Sequence, residues 1–257
     1  MNSNEKKAKK GVLKTLRSVF SRKRFVSAVI LAGGSSLRYG GDTPKQFLPL
    51  LDKPVIVHSM LAFENAPSVK EIIIVCREAD ALRYDVMAEE YGISKYKKAV
   101  VGGDTRQVSS LAGLDATDTK ADYVLIHDGA RPMITPDAIE EIVMATKEHR
   151  AACAATASRD TVKIADDNGF ITRTEDRTRV YLAQTPQGFY KPLLEACAYS
   201  AKKEAVVVTD DASLLEHYHY PIKLVDTGSE NIKITTPSDL ILAEAILAKR
   251  RESEENV

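Results

Sequence analysis

The segment from Ser27 to Leu48 constrains the fold of this chain more than any other. Ser27 to Leu31 is almost wholly apolar and about one buried strand long. The chain then breaks into a loop with two glycine pairs, Gly33-Gly34 and Gly40-Gly41. That loop carries two cations, Arg38 and Lys45, the second inside the run Pro44-Lys45-Gln46. A buried strand that opens into exposed backbone N–H groups beside fixed positive charge is how α/β proteins hold phosphates. Glycine lets the backbone come close to a ligand, which makes Ala32, Gly33 and Gly34 candidate nucleotide contacts. No Gly-Lys-Ser/Thr follows at Walker A spacing and no G-x-G-x-x-G is present, so the P-loop kinase and dehydrogenase readings fall away.

From Phe25 onward, strand-like and helix-like segments alternate. The strand candidates are Ser27–Leu31, Glu71–Val75, Ala99–Val101, Tyr123–Ile126, Ala151–Ala157, Ile222–Val225 and Ile232–Ile234. Helical patterns such as Val55–Glu64 and Ala138–Lys147 lie between them. The second of these has a clear start, with Thr135 as N-cap, Pro136 in the first turn and Asp137 behind it. The last helix opens the same way, at Thr236-Pro237-Ser238-Asp239, and runs from Leu240 to Leu247. Alternation of this kind predicts an α/β fold, a Rossmann-like, mostly parallel sheet with helices on both faces. One stretch interrupts it. Asp166-Asp167-Asn168-Gly169 is a turn signal between Thr161–Ala165 and Phe170–Thr174, which predicts a projecting β-hairpin arm over about 160–187 that pairs protomers.

With 257 residues, the chain suits one sizeable domain with an appendage, placed here over 25–250 and followed by a charged tail at 251–257. Residues 1 to 25 hold nine of the 36 Lys/Arg and one of the 36 Asp/Glu, leaving 27 basic against 35 acidic residues, a net of −8. A body of that charge is a poor nucleic-acid binder, so any phosphate affinity is local. Residues 1–24 read as a basic extension. Val12, Leu13, Leu16, Val19 and Phe20 fall at helical spacing, the pattern of a helix that lies on an anionic membrane, although no second anchor accompanies it and a solvated tail suffices. No apolar run reaches the ~20 residues of a membrane helix. Cys76, Cys153 and Cys197 are widely spaced, as suits a reducing, cytoplasmic compartment.

Three further clusters carry chemistry. Tyr123 to Asp128 is a strand that stops at an acid followed by Gly129, and ligands of open α/β sheets sit at such carboxyl ends. A carboxylate beside a phosphate loop is a natural Mg²⁺ ligand, while a turn or cap role is the plainer alternative for Asp128, and Arg131 suits an ion pair. Gly102-Gly103-Asp104-Thr105-Arg106-Gln107-Val108-Ser109 ends a short strand and opens a helix, a place where a flat base can rest. Lys233 sits between Ile232 and Ile234, so its ammonium needs an acceptor, for which a substrate phosphate would serve, while an edge-strand lysine is the plainer alternative. Arg177 lies on the arm. Asp210-Asp211 read as helix caps, and His217 and His219 lack a third metal ligand at any familiar spacing.

These motifs, in this order and spacing, resemble the methylerythritol-phosphate cytidylyltransferases of non-mevalonate isoprenoid synthesis. The resemblance runs from about Val26 to Leu247. It rests on the Ala-Gly-Gly…Arg38…Pro-Lys45-Gln46 loop, Gly-Gly-Asp-Thr-Arg106-Gln, His-Asp128-Gly-Ala-Arg-Pro, Gln184-Thr-Pro-Gln187-Gly-Phe, Thr209-Asp-Asp-Ala-Ser and Asn231-Ile-Lys233-Ile-Thr-Thr-Pro. It implies an enzyme that joins CTP to a polyol phosphate and releases pyrophosphate, with Mg²⁺ as cofactor. It also implies roles: Arg38 and Lys45 on the CTP phosphates, Gly103, Asp104 and Ser109 on the cytosine, and Asp128 on the metal. Arg177 and Lys233, with Thr161 and Arg131, would position the acceptor phosphate, and in a homodimer Arg177 would act on the partner's site. Two departures stand out, Ser36 in place of the usual glycine and Tyr39 in place of a commoner methionine. The Ile-Leu-Ala-Gly-Gly and Pro-Lys-Gln-Phe-Leu wording is also similar to the ribitol-phosphate cytidylyltransferases of wall-polymer synthesis. The carboxyl half favours methylerythritol phosphate. A non-catalytic module tethered by residues 1–24 is the alternative of a different class, against which stand Arg38, Lys45, Asp128 and Lys233 together.

Overall fold

The structure, a computed structural model, describes residues 24–34 and 44–255. The expected basic extension up to residue 23, and Ser36, Arg38 and Tyr39 of the glycine loop, lie outside the described residues.

In chain order the elements are β1 (Val26–Leu31), a single 3-10 turn (Lys45–Phe47), β2 (Pro49–Leu50), β3 (Lys53–Pro54), α1 (Val55–Asn65), β4 (Val69–Cys76), α2 (Ala81–Glu90), β5 (Tyr96–Val101), α3 (Arg106–Ala116) and β6 (Tyr123–Asp128). There follow α4 (Pro136–His149), β7 (Ala151–Ala157), β8 (Lys163–Ala165), β9 (Ile171–Thr174), β10 (Tyr181–Tyr190), α5 (Lys191–Glu204), α6 (Asp211–His217), β11 (Lys223–Asp226) and α7 (Pro237–Glu255). The main sheet has seven strands in the order β11-β7-β10-β6-β1-β4-β5. All pairs are parallel except those of β10, which runs antiparallel to both β6 and β7.

Strand alternation divides the core. Ala28, Ile30, Ile72, Ile74 and Leu125 face α1, α2 and α4, where they meet Met60, Phe63, Tyr84 and Ile142. Val29, Ile73, Val75, Val124 and Ile126 face the other way, onto Leu114 of α3, Leu194 and Ala201 of α5, and Leu214 and Leu215 of α6. Both faces of the sheet are therefore covered, as the near-continuous apolar strands require. The α4 start is as expected, with the Thr135 hydroxyl accepting from Ala138 N at 3.2 Å.

Three elements depart from the sequence reading. β10 was not among the expected strands. It contains Pro186 and Gly188, and its pairing with β7 shifts register between Ala183 and Gln187, the sort of irregularity that admits a proline in a sheet. Because Tyr181 already pairs with Ala157, the arm gives way to the main sheet before residue 187. Ile232–Ile234 is not a strand. The segment instead lies just beyond the carboxyl end of β6, with Ile234 N donating to Ala130 O at 2.8 Å. The last helix continues through Glu255, so residues 251–255 extend it rather than form a separate tail.

The arm itself forms as expected. β8 and β9 pair antiparallel in a two-stranded sheet of their own. Asp166 closes the turn by accepting from Asn168 N and Phe170 N, and Gly169 supplies the positive φ of 86°.

Candidate active site

The chain leaves β1 to build β4 and β5 on one side, then returns to place β6 on the other side. The crevice outside the carboxyl ends of β1 and β6 is thus the topological switch point of the sheet, where open α/β proteins bind ligands. Leu31, the last residue of β1, pairs with Asp128, the last of β6. Ala32 to Gly34 and Asp128 therefore flank the same crevice.

Asp128 is the electrostatic centre. Lys233 Nζ donates to its Oδ2 at 2.7 Å, Arg106 Nε stands 3.4 Å from Oδ1, and Arg131 Nε lies 3.9 Å from Oδ2. Burial alone would raise the Asp128 pKa, but Lys233, Arg106 and Arg131 together outweigh it and hold the carboxyl well below the usual range. The acceptor of Lys233 in this structure is Asp128, where the sequence pointed to a phosphate.

The backbone of Asp128 is fixed from beneath. Its N–H donates to Thr185 Oγ1 at 2.9 Å, and the same hydroxyl meets His127 Nδ1 at 3.1 Å. Arg131 O, 3.2 Å from Nε2, can only accept, so the neutral His127 ring carries its proton on Nε2 and Nδ1 accepts from the Thr185 hydroxyl. Burial is the main cause that lowers the His127 pKa, to about 3, so the ring is neutral.

Lys45 reaches the same cluster from the far end of the glycine loop, donating to Ile234 O at 2.8 Å beside Lys233. Gln46, buried next to it, donates to Ala32 O at 2.9 Å and ties the return limb of the loop to the end of β1. Among the described residues, a Cβ built on Gly34 would meet nothing within 4 Å, and one on Gly33 only ordinary contacts.

The Gly102-Gly103 turn differs. A Cβ on Gly102 would lie 2.7 Å from Ser109 Oγ and one on Gly103 only 2.2 Å from Val108 Cγ1, so this turn requires glycine for its own packing. Ser109 Oγ accepts from Gly103 N at 3.1 Å and locks the turn, while Asp104 is exposed.

Several contributors were not assigned a role from the sequence. Arg106 bonds Asp211 Oδ2 at 2.7 Å while facing Asp128, and burial, which would lower its pKa, is outweighed by those two carboxylates. Asp211 was expected as a cap, yet its carboxylate turns inward to Arg106 and Ser110, and Asp210 caps α6 by accepting from Ser213 N at 2.8 Å. Thr185 and Asn231 belong to motifs already noted, but nothing in the sequence pairs Asn231 Nδ2 with Gln184 Oε1 and Thr185 O, each at 2.9 Å. Thr161 and Arg177 sit exposed on the arm, where Arg177 Nη1 reaches Arg159 O at 3.5 Å, and no hydrogen bond joins them to the Asp128 cluster among the described residues. Nor, among those residues, does any group of three or more His, Cys, Asp or Glu side chains converge to hold a metal.

The site thus presents the ionised Asp128 carboxylate ringed by Lys233, Arg106 and Arg131. It suits the holding of several phosphates and the stabilisation of charge that develops on one of them.

Comparison with known proteins agrees. A sequence profile described as 2-C-methyl-D-erythritol 4-phosphate cytidylyltransferase matches residues 26–249. The protein of that name from Lachnoclostridium phytofermentans is 41% identical over 229 residues, 88% of this chain and 98% of its own. That from Alkaliphilus oremlandii is also 41% identical, over 88% of this chain and 96% of its own. Among solved structures, the 4-diphosphocytidyl-2C-methyl-D-erythritol synthase of Anaerococcus prevotii superposes with a TM-score of 0.79 at 33% identity, covering 88% of this chain and 97% of that one.

Proposed function

We propose, for a chain that belongs to the 2-C-methyl-D-erythritol 4-phosphate cytidylyltransferase family, the reaction that this family's name describes and a set of residues that perform it. The enzyme joins CTP and 2-C-methyl-D-erythritol 4-phosphate, releasing pyrophosphate, in isoprenoid precursor synthesis. An oxygen of the polyol phosphate attacks the α-phosphorus of CTP, the bond from that phosphorus to the bridging oxygen breaks, and pyrophosphate leaves with the electron pair. A phosphate monoester is largely dianionic near neutral pH and needs no side-chain base. Catalysis reduces to in-line placement and charge stabilisation. The observation that carries this reading is the cation ring on Asp128 at the β1/β6 switch point, with Lys45 joined to it through Ile234.

In this reading Lys45, with Arg38 beyond the described residues, neutralises the triphosphate. The backbone of Ala32, Gly33 and Gly34 lies against it, and Gly103, Asp104 and Ser109 read the cytosine at the turn that Ser109 locks. Lys233, Arg131, Thr161 and Arg177 position the acceptor phosphate. Support for the arm's part is its exposure: Phe170 is 72% and Ile171 64% accessible, apolar surface that a second copy would cover. The enzyme is then a homodimer in which Arg177 serves the partner's site.

Enzymes of this family generally depend on a divalent cation, and the donor set here fits Mg²⁺. Asp128 is ionised, and Mg²⁺ takes one or two carboxylates and completes its shell with phosphate oxygens and water. When bound, the ion supplies neutralisation of phosphate charge. We place the reaction in the cytoplasm, a reading supported by three buried, unpaired cysteines; among the described residues no helix is long and apolar enough to cross a membrane.

Pyrophosphate release with CTP and Mg²⁺ tests the function, with 2-C-methyl-D-erythritol 4-phosphate and ribitol 5-phosphate offered separately. Turnover with the first alone is expected. Turnover with ribitol 5-phosphate alone would move the acceptor and leave the mechanism, and silence with both would remove the catalytic reading.

A further inference from the structure

Asp128 holds a cation at bonding distance. Lys233 Nζ is 2.7 Å from Oδ2, whereas Arg106 makes only a long hydrogen bond at 3.4 Å and Arg131 stands off at 3.9 Å. The two arginines are anchored elsewhere, Arg106 on Asp211 at 2.7 Å and Arg131 on the Asn231 carbonyl at 2.8 Å. Lys233 has no such anchor, since among the described residues Asp128 is the one acceptor its ammonium bonds. Its side chain is 36% exposed and sits on a segment outside the sheet. A lysine ammonium is a compact point charge on a flexible stem, so it can leave a partner without disturbing the fold.

We propose that Lys233 and a divalent cation compete for the Asp128 carboxylate, so that Lys233 is the resident counter-ion of this site until nucleotide arrives. The inference rests on the assignment of Asp128 and Lys233 made above. Two cations on one carboxylate oxygen repel each other, and a single protein carboxylate is a poor Mg²⁺ site without phosphate oxygens beside it. The ammonium therefore prevails in the free protein. Triphosphate oxygens reverse the balance twice over, by adding ligands for the ion and by offering Lys233 other anions. Lys233 then faces the acceptor phosphate only after Asp128 has been occupied.

The test uses Mn²⁺ added to the full-length, nucleotide-free protein, with the bound fraction read by electron paramagnetic resonance. The wild type should bind Mn²⁺ weakly, and Lys233→Met should bind it about tenfold more tightly, the worth of one charge-assisted hydrogen bond. Lys233→Arg, which keeps the charge, should stay as weak as wild type, and adding Asp128→Asn to Lys233→Met should abolish the gain. Lys233→Gln replaces the methionine variant if that one does not fold. No gain in the neutral variants, a gain in Lys233→Arg, or a gain that survives Asp128→Asn would each overturn the proposal. Turnover of the same preparations reports separately on the underlying assignment: a Lys233→Met enzyme at full rate would remove Lys233 from the acceptor phosphate, whatever Mn²⁺ does.

Discussion

Lys45 and His127 show how differently single residues serve this site. In the proposed reading Lys45 is a working charge, reaching the cluster from the glycine loop. Lys45→Ala should lower kcat by about 10²–10³, by analogy with removal of an oxyanion-stabilising donor, and pyrophosphate release under saturating CTP checks it. Near-full turnover would dismiss that role. His127 is structural and neutral, and its effect is on stability. Its folded pKa lies near 3 against an ordinary 6.5, so between those values the unfolded chain binds a proton that the folded chain refuses. Stability should therefore fall as pH drops from about 6.5 towards 3. Asp128 is held low and contributes stability that is lost only below its ordinary 3.8, so the limb from 6.5 to 4 belongs to histidine, with His58, also lowered by burial, sharing it. Urea midpoints against pH should show a shallower limb for His127→Gln than for wild type. An equally steep limb would place the effect elsewhere. Lys233 and Asp128 were legible because a lysine between isoleucines and an acid at a strand end are locally anomalous. The partners Thr185, Asn231 and Arg106 were not, because what matters is which atom they reach across the fold.

At the scale of elements, local signals sufficed wherever the structure obeys them. The apolar runs became β1, β4 and β6, and the Thr135-Pro136 start became α4. β10 escaped because its evidence is non-local. Gln184-Thr185-Pro186-Gln187-Gly188 carries two strand-disfavouring residues and becomes a strand only between β6 and β7. The reverse holds for Ile232–Ile234, whose strand-like composition has no ladder to join. Helix α3 sharpens the same conflict between propensity and packing. A Cβ on its Gly113 would stand 2.3 Å from Val29 Cγ1 and 2.7 Å from Val75 Cγ2. Gly113→Ala would gain about 1 kcal/mol of helix propensity. Overpacking against two stiff valines costs about 1–3 kcal/mol, so a net loss is expected, read as a lower denaturant midpoint. A raised midpoint would mean that α3 can lift off β1 freely.

For the whole molecule, the proposed reading makes the dimer part of the site. Arg177 lies on the exposed arm, apart from the Asp128 cluster of its own chain. If it serves the partner, mixing inactive Lys45→Ala and Arg177→Ala subunits should restore turnover, since each hybrid dimer holds one site with both residues intact. With random pairing the recovery should approach about a quarter of wild type. No recovery, from subunits shown to exchange, would confine each site to one chain. The claim that binds all three scales is that this fold performs one in-line displacement at phosphorus by placement and charge, without a covalent intermediate. The stereochemistry at the α-phosphorus tests it most directly, using CTP made chiral there as the phosphorothioate. Inversion of configuration in the cytidylylated product is expected. Retention would mean two displacements through an enzyme nucleophile and would contradict it.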